Sequence, residues 1–283
     1  MELHPYSLTL MRRKDDMSNK KSVKTSVNAA TNHDSCKAII DGIKSIAKRH
    51  TVWSVFEDWV KMSAIAVSNA IDKNQWNQRE AEYLETVRKY TPEELNIFAQ
   101  MLAELVTALD KENKEDGPKD LLGQIFHSLE LHNKYKGQYF TPPDICNLMG
   151  GIMLNSKQHE DELSQKGYIT LMDECVGAGG LVLGFAKAMK DNKLNYQKQL
   201  VVYCRDIDIK CVYMAYLQLS LQGIPAVVIH GDTLKNEEQS RWYTPVYIED
   251  GWRFRERLAA LIRLTTSPAE VKTAELEERE EIK

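Results

Sequence analysis

Asp173-Glu-Cys-Val-Gly177-Ala-Gly179-Gly180 is the stretch that decides the fold of this chain. The short apolar run Tyr168-Ile-Thr-Leu-Met172 comes before it, and Leu181-Val-Leu-Gly-Phe-Ala-Lys-Ala-Met189, with helical spacing, comes after. Strand, acid, glycine turn and helix in that order build a ligand pocket at the carboxyl end of the first strand of an α/β protein. The glycines let backbone amides approach a ligand closely, and the acid supplies a fixed hydrogen-bond acceptor. Spacing separates two ligand classes. A dinucleotide fingerprint needs a third glycine three positions after the second, where this chain has Val182. An acid four residues before the first glycine suits instead a positively charged, phosphate-free nucleotide such as S-adenosylmethionine.

Working outward, residues 169–172, 200–204 and 226–229 are three β-like runs, separated by helical segments at 181–189 and 209–221. Strands alternating with helices predict parallel βαβ units. Upstream, from residue 35 to about 133, the pattern is helical. Thr91-Pro92-Glu93-Glu94 offers an N-cap, a proline at the first helical position and a glutamate at the third. Trp53, Trp59 and Trp76 read as core of this helical region. Residues 251–264 have room for one more helix, and 269–283 form an acidic, helix-favouring tail. The expected organisation is a polar, disordered arm at 1–34, a helical domain at 35–134, a shortened Rossmann-like α/β core at 135–265, and a tail at 266–283. Met17 offers an alternative translation start.

Composition narrows the function classes. With 43% hydrophobic and 28% charged residues, the 283-residue chain reads as an ordinary soluble protein, without a membrane-spanning run or an apolar signal core. A cytoplasmic location follows, in a prokaryotic, phage or mobile-element host cell. Five cysteines (Cys36, Cys146, Cys175, Cys204, Cys211) form no Cys-x-x-Cys pair and have no histidine at ligand spacing, so they read as scattered buried thiols and no metal is expected. The net charge of −4 gives no global attraction to nucleic acid, so any DNA contact needs a local basic surface.

Three more segments carry candidate chemistry. Tyr203-Cys-Arg-Asp206-Ile-Asp208 puts an acid at the end of the second strand, placed either to accept from ribose hydroxyls or to cap the following helix. His230-Gly231-Asp232-Thr233 ends the third run; Asp232 could accept from an adenine amine or close an Asx turn, and His230 reads as structural. Gly137-Gln-Tyr139-Phe140-Thr141-Pro142 sets two aromatic rings before a helix start whose free amides suit a carboxylate.

In chain order, Gly137 to Pro142, Asp173 to Gly180, Asp206 to Asp208 and Gly231 to Leu234, the four segments resemble the adenine-N6 DNA methyltransferases, specifically the modification subunits of type I restriction systems. The resemblance runs over roughly 121–234. It implies S-adenosylmethionine as cofactor, with Tyr139, Phe140 and Thr141 at its methionine end, Asp173, Gly177 and Gly179 lining it, Asp206 on the ribose and Asp232 near the adenine. It also implies double-stranded DNA as partner, with a methyltransferase or specificity subunit, and a flipped adenine as substrate. The chain departs from the family's Asp-Pro-x-x-Gly-Ser-Gly-Gly at Glu174 and Ala178, and nowhere reads Asn-Pro-Pro. The nearest catalytic candidate is Thr244, Pro245 and Tyr247, a segment that reads more readily as a β-turn on the way to the last helix. Arg241-Trp-Tyr243 and Trp252-Arg-Phe-Arg255 interleave cations with aromatics, either as a stacking and phosphate surface or as a solvated face beside an anchor.

Overall fold

In the computed structural model, which describes residues 30–129 and 140–265, five helices come first. They are α1 (Ala30–Ile46), α2 (Val52–Ile71), α3 (Trp76–Val87), α4 (Pro92–Glu115) and α5 (Leu121–Ser128). Then follow α6 (Pro143–Leu154), α7 (Lys157–Lys166), β1 (Ile169–Asp173), α8 (Gly180–Asp191), α9 (Tyr196–Gln199), β2 (Leu200–Asp206), α10 (Ile209–Leu221) and β3 (Ala226–Asp232). β4 (Glu237–Tyr243), α11 (Pro245–Glu249) and α12 (Trp252–Thr265) close the order. The polar arm through residue 29, Tyr139 and the acidic tail lie outside the described residues.

The three apolar runs form a parallel layer in the order β1-β2-β3, with Leu171 opposite Val202 and Cys204 opposite Val228. Alternate side chains of these strands face opposite sides. One side, with Ile169, Leu171, Val202, Cys204 and Val228, meets α8 and α10 in a core that runs on without interruption into α1, α2, α4 and α5. The other side, with Tyr168, Val201, Val227 and Ile229, is covered by Tyr247 and Trp252 in a smaller cluster. The amino-terminal helices and the sheet therefore share one core, and the boundary expected at 134 falls among residues outside the description. Local signals behave as predicted in α4: the Thr91 hydroxyl accepts from the Glu94 amide at 3.3 Å and the Glu94 carboxylate accepts from the Thr91 amide at 2.8 Å. Of the three tryptophans expected in the core, Trp59 is buried, its Nε1 donating to the Phe98 carbonyl at 3.2 Å. Trp53 and Trp76 are only partly buried, and the Lys210 ammonium sits 4.7 Å over the Trp53 ring.

β4 was not legible as a strand. It pairs antiparallel with β3 as a hairpin, with a register shift at His230/Gly231, and only its Trp242 is buried. Arg79 of α3 ties the helices to it. That guanidinium stacks 3.7 Å from the Trp242 ring centroid, donates to the Arg241 carbonyl at 2.7 Å, and pairs with Asp72 at 3.4 Å.

Among the described residues, β1 is the other edge of the sheet. The Thr170 amide donates to Glu162 Oε2 at 2.9 Å, and Lys166 bridges the Thr170 hydroxyl (2.7 Å) and Glu162 (3.1 Å). Beside it α6 lies directly on α8, so close that a Cβ on Gly150 would come within 2.5 Å of the Gly184 backbone. The far side of α6 exposes Ile145, Leu148, Met149, Ile152 and Met153, one continuous helical stripe.

Candidate cofactor site

The carboxyl ends of the parallel strands bring Asp173, Asp206 and Asp232 to one end of the sheet. The chain leaves β1 through an Asx turn, with the Cys175 amide donating to Asp173 Oδ1 at 3.1 Å. Gly177 and Gly179 then take positive φ of 55° and 94°, and Gly179 opens α8. A side chain at Gly177 would strain the backbone and press on the Phe140 ring, 3.1 Å from where its Cβ would stand. The Gly177 amide donates to Asp206 Oδ2 at 2.9 Å, and the Asp208 amide to Asp206 Oδ1 at 2.9 Å. The two strand-end acids are thus connected through the turn itself.

Asp173 Oδ2 is buried and has no hydrogen-bond partner among the described residues. Burial pushes the Asp173 carboxyl above its ordinary range, against the Cys175 amide, and the negative charges of Asp206 and Glu174 push it further. Asp206 is raised by burial too, against the amides of Asp208 and Gly177. Two partly buried carboxylates that repel one another make this end of the sheet a place for a cation. Each Asp206 oxygen accepts one bond and keeps a lone pair for a further donor.

The remaining candidates divide. Phe140 borders the turn, its ring 4.8 Å from that of Phe126. Thr141 is exposed, one residue before Pro142, which caps α6. Asp208 caps α10 through the Lys210 amide at 3.0 Å, leaving Asp206 as the strand-end acid. Asp232 forms the Asx turn of its alternative reading, its Oδ1 accepting from the Leu234 (2.9 Å) and Lys235 (3.2 Å) amides. His230 bonds the Ile207 carbonyl at 3.2 Å, consistent with a structural role. Glu174 is exposed, and its carbonyl accepts from the Thr233 hydroxyl at 2.9 Å. Ala178 is buried. Among the cysteines, Cys146, Cys204 and Cys211 are buried and Cys36 partly so, but Cys175 is exposed in the turn, contrary to the expectation of buried thiols; all are free.

The catalytic candidates lie away from the glycine turn. Thr244, Pro245 and Tyr247 stand at the amino-terminal end of β3, about 20 Å from Asp232 at ~3.3 Å per residue along the strand. Thr244 is fully buried; its hydroxyl accepts from the Ala226 amide at 2.8 Å and donates to the Ile224 carbonyl at 2.8 Å. Tyr247 is buried, with its hydroxyl on Glu256 at 2.9 Å. Neither side chain reaches the glycine turn. Thr244→Val, which keeps shape but removes both bonds, is expected to cost about 1–3 kcal/mol in urea unfolding and to leave ligand affinity at the glycine turn unchanged.

Two residues that hold the turn were missed from sequence. Gln218 of α10 donates to the Ala178 carbonyl at 2.7 Å and to Asp120 Oδ1 at 2.8 Å, while Asp120 caps α5 by accepting from the Gly123 amide at 2.7 Å. Asp120 carries a readable signal as an acid before Leu121-Leu122, but only as a cap; its place under Gly180 arises from the fold. Gln218 sits fully buried in a largely apolar helix, the one hint that a polar partner awaits it.

A parallel β1-β2-β3 layer with a glycine turn after its first strand and acids at the ends of the first two has the arrangement of a Rossmann-like α/β core. Residues 118–249 match the family model described as N-6 DNA Methylase. The type I restriction enzyme MpnII methylase subunit of Mycoplasma pneumoniae (strain ATCC 29342 / M129 / Subtype 1) is 24% identical over 169 residues, 56% of this chain and 29% of that protein. The matched stretch thus spans less than a third of that relative's length. The type I restriction-modification methyltransferase subunit from Streptococcus thermophilus superposes with a TM-score of 0.37 at 14% identity, over 73% of this chain and 60% of that one. A protein from Listeria monocytogenes assigned as a class I S-adenosylmethionine-dependent methyltransferase gives a TM-score of 0.38 at 14% identity, over 79% and 70%.

Proposed function

We propose that this chain binds S-adenosylmethionine at the glycine turn and serves methyl transfer to the N6 amine of adenine in double-stranded DNA, working with a methyltransferase or specificity subunit. The observation that carries the reading is Asp173 Oδ2, a buried acceptor without a donor among the described residues, beside the second raised carboxyl of Asp206. In this reading Asp173 accepts from the cationic amino-acid end of the ligand. Gly177 allows close backbone approach, Asp206 takes the ribose hydroxyls on its spare lone pairs, and Phe140 borders the pocket. Gly179 opens α8, and Thr141, Asp232 and the undescribed Tyr139 fill the positions the family resemblance gives them. When bound, S-adenosylmethionine supplies an electrophilic methyl group. A DNA substrate in a prokaryotic, phage or mobile-element host cell would put the work in the cytoplasm. No helix among the described residues is long and apolar enough to cross a membrane.

A second reading is favoured by the displacement of Thr244–Tyr247 to the far end of the sheet. In it the chain keeps the cofactor fold but acts by binding DNA or a complete methyltransferase. Tritiated methyl transfer to an adenine-containing duplex separates the two, run with the chain alone and with a type I specificity subunit. Incorporation supports the first reading, and its absence despite calorimetric binding of S-adenosylmethionine supports the second. No cofactor binding at all sinks both.

A further inference from the structure

The second face of the sheet holds a cleft that the cofactor reading does not use. A cavity of about 320 Å³ lies between β3, β4, α11 and α12, walled by Tyr203, Tyr243, Tyr247, Arg241, Arg253 and Arg257. It is at the amino-terminal end of β3, where Val227 pairs with Tyr243, and so at the opposite end of that strand from Asp232. Its volume is at the lower end of the ~300–1,000 Å³ range of small-ligand pockets.

The charges in the cleft are not balanced internally. Arg241 is satisfied by Glu238, with contacts of 2.5 and 2.7 Å. Glu256 is occupied as an acceptor by the Tyr203 hydroxyl at 2.6 Å and the Tyr247 hydroxyl at 2.9 Å, which fasten α12 to the sheet. Arg253 and Arg257 are exposed, and neither forms an ion pair among the described residues. Arg253 stands 6.0 Å from the Tyr243 ring centroid. Tyr243 is only partly buried and is backed by Tyr247, whose ring lies 5.6 Å away at 25°. Buried Trp242 and Trp252 fix both segments from beneath, so the interleaved cations and aromatics of the sequence divide into anchors below and a binding surface above.

We propose that this cleft binds a nucleotide, with the base against Tyr243 and the phosphate between Arg253 and Arg257. A rigid ring offers a stacking surface that any base can use, and two guanidinium groups without an ion pair among the described residues match a phosphate's oxygens bidentately. The same chemistry is offered by a free nucleotide and by an unpaired nucleotide within a strand.

The test is calorimetric titration of the full chain with dAMP, with adenosine, and with a short single-stranded oligodeoxynucleotide. The expected result is binding of a phosphate-bearing ligand, with adenosine at least about tenfold weaker. Binding of dAMP identifies the free-nucleotide source; binding of the oligonucleotide alone identifies the strand. Arg253→Ala with Arg257→Ala is expected to weaken that binding about tenfold or more, and Tyr243→Leu to weaken it independently of phosphate. Asp173→Ala is expected to leave it unchanged, which keeps this site distinct from the glycine turn. The proposal is overturned if neither phosphate ligand binds, if the arginine substitutions have no effect, or if Asp173→Ala abolishes the binding.

Discussion

Arg79→Ala is expected to lower the unfolding free energy by about 3–5 kcal/mol, read as a shift of the urea midpoint at unchanged slope. Arg79 is 2% exposed, and its partner Asp72 is 5% exposed. Truncation would leave the Asp72 carboxylate in a low-dielectric setting without its cation, and that uncompensated charge dominates the cost. The Arg241 carbonyl and the buried Ser68 hydroxyl lose a donor as well, and the Trp242 face loses its cation. Against a total of ~5–15 kcal/mol for a typical domain, the loss is a large fraction. Arg79→Ala combined with Asp72→Asn should recover part of it, because the second change removes the stranded charge. A shift below about 1 kcal/mol would show that α3 contributes little to holding β4.

Asp173→Asn should move binding and stability in opposite directions. Loss of a charge-assisted acceptor removes about 1.5–3 kcal/mol of interaction, or roughly ten- to a hundredfold in S-adenosylmethionine affinity. The sign for stability follows from the raised carboxyl. A carboxyl whose folded value lies above its unfolded value contributes stability that is fully present below the unfolded pKa and is lost as pH rises through the folded one. At neutral pH the ionised Asp173 is therefore a cost to the free protein, caused first by burial and then by Asp206 and Glu174. The amide removes that cost, so the free variant is expected to unfold at equal or higher urea concentration than the wild type. Cofactor affinity should fall with pH as the carboxyl takes up its proton above the usual carboxylate range. A variant that is less stable and binds as well as wild type would mean that Asp173 is a structural acid.

How much of this was legible depends on where burial leaves a trace in the sequence. β1, β2 and β3 were readable because parallel strands covered on both faces are short apolar runs, and α10 was readable to the residue. β4 escaped because Glu237-Glu-Gln-Ser-Arg-Trp-Tyr243 is an edge strand whose polar side chains face water. Missing it made Thr244 look like the start of a catalytic loop, when the threonine in fact closes the hairpin onto β3. α7 escaped for the same reason, being polar almost throughout. At the site, the acids and glycines declared themselves by spacing. Asp120 and Gln218 did not, since they meet the turn across ninety-eight residues of sequence separation. Arg79 gave no signal either, because nothing local to α3 says that its cation will end beneath an indole.

The end of the sheet at β1 has a consequence for how the molecule meets other chains. A strand edge is a row of peptide groups able to template any extended segment that passes. Here the first outward amide is held by the Glu162 carboxylate, itself held by Lys166. A clasp of this kind guards the edge without sealing it, because a side chain can swing away at a cost of about one charge-assisted bond. Access of a passing strand to β1 is then set by two residues of a small polar helix, Glu162 and Lys166.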